Sequence, residues 1–159
     1  MSGFSGRRVV RVLVAAAGGA VVAGVVVGGA ARLLMSLIAV AAAEESTFTF
    51  VGSLGIVLVF AVLAVPAALT AAAPAAVRVA GRWVTAALTG FGMATNGFAD
   101  GAAVLLAPDG RMTYIAAAVV GFGAVAVAHG QVAQVVARRL TGPVARPSGQ
   151  VAAAAPEPA

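Results

Sequence analysis

Long apolar runs separated by short polar stretches set the pattern of this chain. Residues 12–43, 48–73, 84–106 and 112–137 are predominantly apolar, and each run supplies the roughly 20 apolar residues that a helix needs to cross a hydrocarbon core about 30 Å thick. The breaks carry polar or turn-forming residues: Glu44-Glu45-Ser46, the stretch from Arg78 to Trp83, and Pro108-Asp109-Gly110-Arg111. Pro108-Asp109-Gly110 is a tight-turn signature and predicts an antiparallel hairpin between the third and fourth helices. The pattern therefore predicts an all-α integral membrane bundle of four transmembrane helices over residues 12–142. A short N-terminal segment, 1–11, precedes it. A Pro/Ala-rich stretch, 143–159, follows and reads as a disordered tail.

Two runs carry irregularities. The first reaches about 48 Å at 1.5 Å per residue, longer than the apolar core, so either the helix tilts and projects or Arg32 lies within the membrane region. In the second, Pro66 and Pro74 each remove an i to i−4 hydrogen bond and are expected to kink or end the helix.

Composition supports the membrane reading. Of 159 residues, 62% are hydrophobic and 9% charged, with a mean hydropathy of +1.06, whereas soluble domains carry about 25% charged residues. The net charge of +5 is the balance of ten arginines, scattered between the apolar runs, against five acidic residues. With few aromatics to stack on bases, nucleic-acid binding is not expected. There is no cysteine, which excludes disulfides, thiol redox chemistry and Cys-ligated metals. The Ala, Gly, Val and Arg bias fits a GC-rich bacterial genome.

Arginine placement predicts orientation. With the N-terminus inside, Arg7, Arg8, Arg11, Arg78, Arg82, Arg138, Arg139 and Arg146 are cytoplasmic, and only Arg32 and Arg111 lie elsewhere. The positive-inside rule then places both termini in the cytoplasm of a cell-membrane protein. GRRVVRVLV with Ala41-Ala42-Ala43 has the outline of a secretory signal, but its apolar region far exceeds the usual length of about 7–15 residues, so an uncleaved first span is expected.

One polar stripe interrupts the third run. Thr85, Thr89, Gly92, Asn96 and Asp100 fall within about 80° of one another on a helical wheel, so the stripe must face protein or water. An ionised side chain at bilayer depth costs about 2.5–3.5 kcal/mol on insertion scales and needs a partner. Arg32 is the oppositely charged residue inside another run. Measured from segment midpoints, Arg32 and Asp100 both lie about 7 Å towards the outside, and Asn96 lies near the midplane. His129 lies about 7 Å towards the inside, which separates it from Asp100 by about 14 Å and disfavours a direct dyad.

Arg32, Asn96, Asp100 and Thr89 are therefore the candidate intramembrane polar site, with His129 as a secondary candidate. A structural ion pair that orients the first helix against the third is favoured over an ion or proton path, because interhelical polar contacts average only about 0.6 kcal/mol and chiefly set orientation. His129, Gln131, Gln134 and Arg138 occupy the inner end of the fourth helix and read as headgroup or loop contacts. Trp83, Phe48 and Tyr114 fall near segment ends, where aromatic belts occur. Ala20, Gly24 and Gly28 are spaced by four and lead into Arg32, and Gly97 and Gly101 form a second such pair. These small-residue faces suit close helix packing within the bundle or in a homodimer.

Enzyme signatures such as H-E-x-x-H, G-x-S-x-G, G-x-G-x-x-G or a Walker loop do not occur in the chain, and the predicted extramembrane loops leave no room for a soluble catalytic domain. The expectation is a non-enzymatic protein without metal or cofactor. Its predicted partners are the lipid bilayer and either itself or a larger membrane protein. The alternative is a small oligomeric channel or transporter that uses the polar stripe.

Overall fold

The computed structural model describes residues 3–41, 49–97 and 110–142, with the side chains of 3–5, 96 and 97 outside that description. The fold there is all-α. Its elements are α1 (Gly3–Ala41), α2 (Phe50–Leu63), α3 (Val65–Leu69), a 3-10 turn (Thr70–Ala72), α4 (Ala75–Gly97) and α5 (Met112–Thr141).

α1 and α5 lie antiparallel. Gly18 and Gly19 in the first half of α1 face Leu140 and Ala137 near the end of α5, whereas Gly121 in the first half of α5 faces Leu34 towards the end of α1. The other face of α1 receives α2, where an added Cβ at Gly24 would come within 2.7 Å of the Ala61 backbone nitrogen and one at Gly28 within 3.2 Å of the Val57 Cα. Ala16, Ala20, Ala23, Val27 and Ala31 on α1 are all buried, and their spacing of three or four keeps them on one helical face. Gly24 and Gly28, read from sequence as packing residues for this bundle or a dimer, are thus occupied within the chain.

The packing order is the inverse of a water-soluble core. Buried positions are mostly alanine, including Ala23, Ala64, Ala67 and Ala133, whereas Val, Leu and Phe side chains such as Val25, Val26, Leu58, Val62, Phe91 and Val120 are exposed. Lipid chains are as apolar as leucine, so large side chains gain nothing by turning inward, and helices associate through close approach of small residues and through hydrogen bonds.

α1 (from Gly6) and α5 are each long and apolar enough to cross a membrane, and α2 together with α3 and the 3-10 turn is a third if counted through a 41° bend. The described residues thus hold two or three candidate spans against the four expected. The difference lies in α4, whose described length includes Arg78, Arg82, Thr85 and Thr89, while the apolar continuation read from sequence, 98–106, falls outside the described residues.

The bend arises at Pro66, where the sequence predicts one, and Pro74 ends the broken helix. Pro74 also starts the next: its carbonyl accepts the Arg78 N–H at 3.0 Å, and a proline there sacrifices no helical donor. Residues 78–83, expected to form a loop before a helix starting at Val84, therefore lie inside α4, and the connection shrinks to Ala73–Pro74. At the opposite end of the bundle, the Arg111 guanidinium donates to the Val40 and Ala41 carbonyls at 3.2 and 3.0 Å, groups that a helix C-terminus leaves without partners. Gly110 has φ 86°, the left-handed region that glycine adopts without steric penalty.

Candidate functional site

The polar side chains that the fold brings together lie where α4 and α5 meet the broken helix. α4 presents Gly81, Thr85 and Thr89 inward at intervals of four residues, all buried. Gly81 allows the closest approach: an added Cβ would collide with the Thr70 hydroxyl. Across the seam, a Cβ at Gly130 of α5 would lie 2.9 Å from the Arg82 Cα. These two glycines bring α4 within reach of both neighbours.

Thr85 acts on the break itself. Ala67 is the third residue of α3, so its N–H belongs to the set with no partner in its own helix. The Thr85 Oγ1 accepts that N–H at 3.1 Å in a fully buried setting. A buried unsatisfied amide costs about 1–3 kcal/mol, and broken helices persist in membranes where side chains take up the freed backbone groups. Thr70 continues the repair, its hydroxyl donating towards the Pro66 and Ala67 carbonyls at 2.8 and 3.0 Å. Arg78 donates to the Ala73 carbonyl at 2.9 Å.

Gln134 of α5 is the hub. Its Oε1 accepts from the Arg82 Nε at 2.6 Å, and its Nε2 donates to the Arg78 carbonyl at 2.8 Å and to the Thr70 hydroxyl at 3.2 Å. Because the guanidinium only donates and the carbonyl only accepts, the amide has one orientation that satisfies both. The side chain is fully buried. One residue thus joins α5, α4 and the 3-10 turn.

Deeper along the seam, the Thr89 Oγ1 and His129 Nδ1 are 2.7 Å apart, both side chains fully buried. The His129 ring is tilted against Phe60 of α2, with centroids 5.4 Å apart. Its Nε2 is buried without a completed hydrogen bond, although the Phe60 backbone carbonyl lies in its neighbourhood.

Of the residues singled out from sequence, Thr89 and His129 are therefore brought together. Depth along the segments is compatible with that pairing, since Thr89 lies about 9 Å and His129 about 7 Å towards the inside, but depth alone does not select it. Arg32 lies on α1, half-buried, with its carbonyl accepting the Ser36 hydroxyl at 3.1 Å. Asn96 is in the last turn of α4, its side chain outside the description, and Asp100 lies outside the described residues, as do all the other acidic residues. Gln134 departs from the expected headgroup contact and is an interior residue, whereas Gln131 and Arg138 are exposed. Trp83 and Tyr114 are 63% and 71% exposed, and Phe48 lies outside the described residues. Thr70, Arg78 and Arg82 are not legible from sequence as site residues, because their partners depend on the break.

No protein-family model, no curated protein and no solved structure matches the chain. The chain is a small all-helical protein with two or three helices long and apolar enough to cross a membrane, held together among the described residues by alanine packing and a buried polar cluster.

Proposed function

We propose that this is a non-enzymatic, multi-pass protein of the cell membrane with a structural or accessory role, packing against itself or a larger membrane partner. In this reading it crosses the membrane four times with both termini in the cytoplasm. The arginine groups support that topology. Arg11 approaches Gly142 at the end of α5, and Gln134 draws in Arg78 and Arg82, so three basic stretches that the positive-inside rule assigns to one side share one end of the bundle.

The observation that carries the functional reading is the bonding of the cluster. Thr85 and Thr70 engage backbone groups at the helix break, and Gln134 bonds Thr70 and the Arg78 carbonyl of α4, an arrangement that fixes a fold and leaves these side chains committed. A second reading, a small oligomeric channel or transporter, draws on His129, whose Nδ1 meets the Thr89 hydroxyl and whose Nε2 is buried without a completed hydrogen bond. In that reading the stripe through Asn96 and Asp100 continues the path.

Reconstitution into proteoliposomes separates the two. The structural reading predicts proton and monovalent-ion flux equal to that of protein-free vesicles. Flux above that background, abolished by His129→Gln in a variant that stays folded and monodisperse, would replace it with the transport reading.

A further inference from the structure

A shallow groove of about 560 Å³ opens between the first turns of α1 and the end of α5, lined by Arg7, Arg11, Val10, Val14 and Leu140 among others. Its apolar wall is strongly exposed, with Val10 60%, Val14 66% and Leu140 53% accessible. Arg8, Arg138 and Arg139 are exposed on the same two helix ends, and no described residue is acidic. The Arg11 guanidinium sits over the turn that closes α5, 3.1 Å from where a Cβ would stand on Gly142, whose φ of 69° is a conformation that favours glycine.

Along the axis the positions run Arg7, Val10, Arg11, Val14, each valine about 4.5 Å inward of the arginine three residues before it. Arg7 is the outermost of the four, and the Arg11 guanidinium reaches outward to Gly142 beyond the end of α5, while Val14 lies deepest. Both charges thus stand at the end of the bundle beside an aliphatic wall that continues inward, which matches the sequence of phosphate and acyl chain in a phospholipid. Basic pockets between membrane helices take anionic headgroups in this way, and arginine is suited to phosphate because its planar guanidinium can donate two parallel hydrogen bonds.

We propose that this groove is a binding site for one anionic phospholipid, its phosphate held by Arg7 and Arg11 and one acyl chain laid along Val10, Val14 and Leu140. The site requires only that α1 and α5 span the membrane. It stands whether the protein is accessory or a transporter.

The full-length protein in mild detergent, titrated with phosphatidylglycerol or with phosphatidylcholine of identical chains and observed by native mass spectrometry, tests this. The expected result is one retained phosphatidylglycerol at a concentration about tenfold below that needed for phosphatidylcholine, with the preference lost in Arg7→Gln/Arg11→Gln. Val14→Asn should weaken retention of the intact lipid, and the soluble headgroup glycerophosphoglycerol should not compete at the same concentration. Both variants change exposed residues, and an unchanged circular-dichroism melt identifies them as folded. Equal retention of the two lipids, or an unchanged preference in the double arginine variant, would overturn the proposal. Displacement of the lipid as protein concentration drives dimerisation would overturn it in favour of a second copy as the occupant.

Discussion

The seam between α1 and α5 and the seam around the broken helix hold helices together by opposite means. In the first, contact is made by glycine and alanine: an added Cβ on Gly19 would stand 2.7 Å from the Ala133 carbonyl oxygen and 2.9 Å from the Ala137 Cβ. In the second, buried Thr85, Thr89, Gln134 and His129 tie α4 and α5 to a helix that Pro66 has bent. The first seam has intact helices whose backbones are already satisfied, so close packing suffices. The second has freed backbone groups, and in a membrane those require side-chain partners.

The contrast can be broken first on the packed side. Gly19→Leu should destabilise the protein by about 3 kcal/mol, since the obstruction is backbone and cannot swing away. Gly29, with nothing within 4 Å of the place a Cβ would take, is the control: Gly29→Ala should be neutral or stabilising by up to about 1 kcal/mol on helix propensity. Unfolding in mixed micelles, followed by circular dichroism, measures both.

On the polar side, Gln134→Leu strips partners from the Arg82 guanidinium, the Arg78 carbonyl and Thr70 together. A loss of about 2 kcal/mol is expected, within the range for bonds to charged groups, with α1–α5 crosslinks through engineered cysteines unaffected. A leucine variant as stable as the parent would show that Gln134 contributes nothing to the seam. The smallest expected effect is at Thr89 and His129. A double-mutant cycle with Thr89→Val and His129→Phe should give a coupling of about 0.6–1.7 kcal/mol, the range of interhelical hydrogen bonds in membranes. A coupling near zero would show that this contact does not join the two helices.

Hydrophobic periodicity makes the all-α membrane class legible, and the two prolines mark where the second helix bends and ends. The stretch from Arg78 to Trp83 reads as a loop from its charge, whereas those arginines lie on a helix whose neighbouring break supplies them with acceptors. The inward direction of Thr85 and Thr89 is legible from the stripe, but their partners are not. The Ala67 N–H becomes an unmatched donor only when Pro66 bends the chain, and Gln134 looks like an interfacial residue until that bend places the Arg78 carbonyl and Thr70 beside it. Such partnerships arise from tertiary geometry and leave no spacing in the sequence.

If the polar cluster exists to hold the break, Thr85 is the residue that tests it most directly. Amide hydrogen exchange followed by NMR in micelles, comparing the parent with Thr85→Val and Thr85→Ser, reads the Ala67 N–H itself. Valine is expected to accelerate exchange at Ala67 by about tenfold, equivalent to about 1.4 kcal/mol, and serine to restore most of the protection, with Gly121, which faces Leu34 on the α1–α5 seam, unchanged. Equal protection of Ala67 in all three proteins would contradict a cluster built to hold the break.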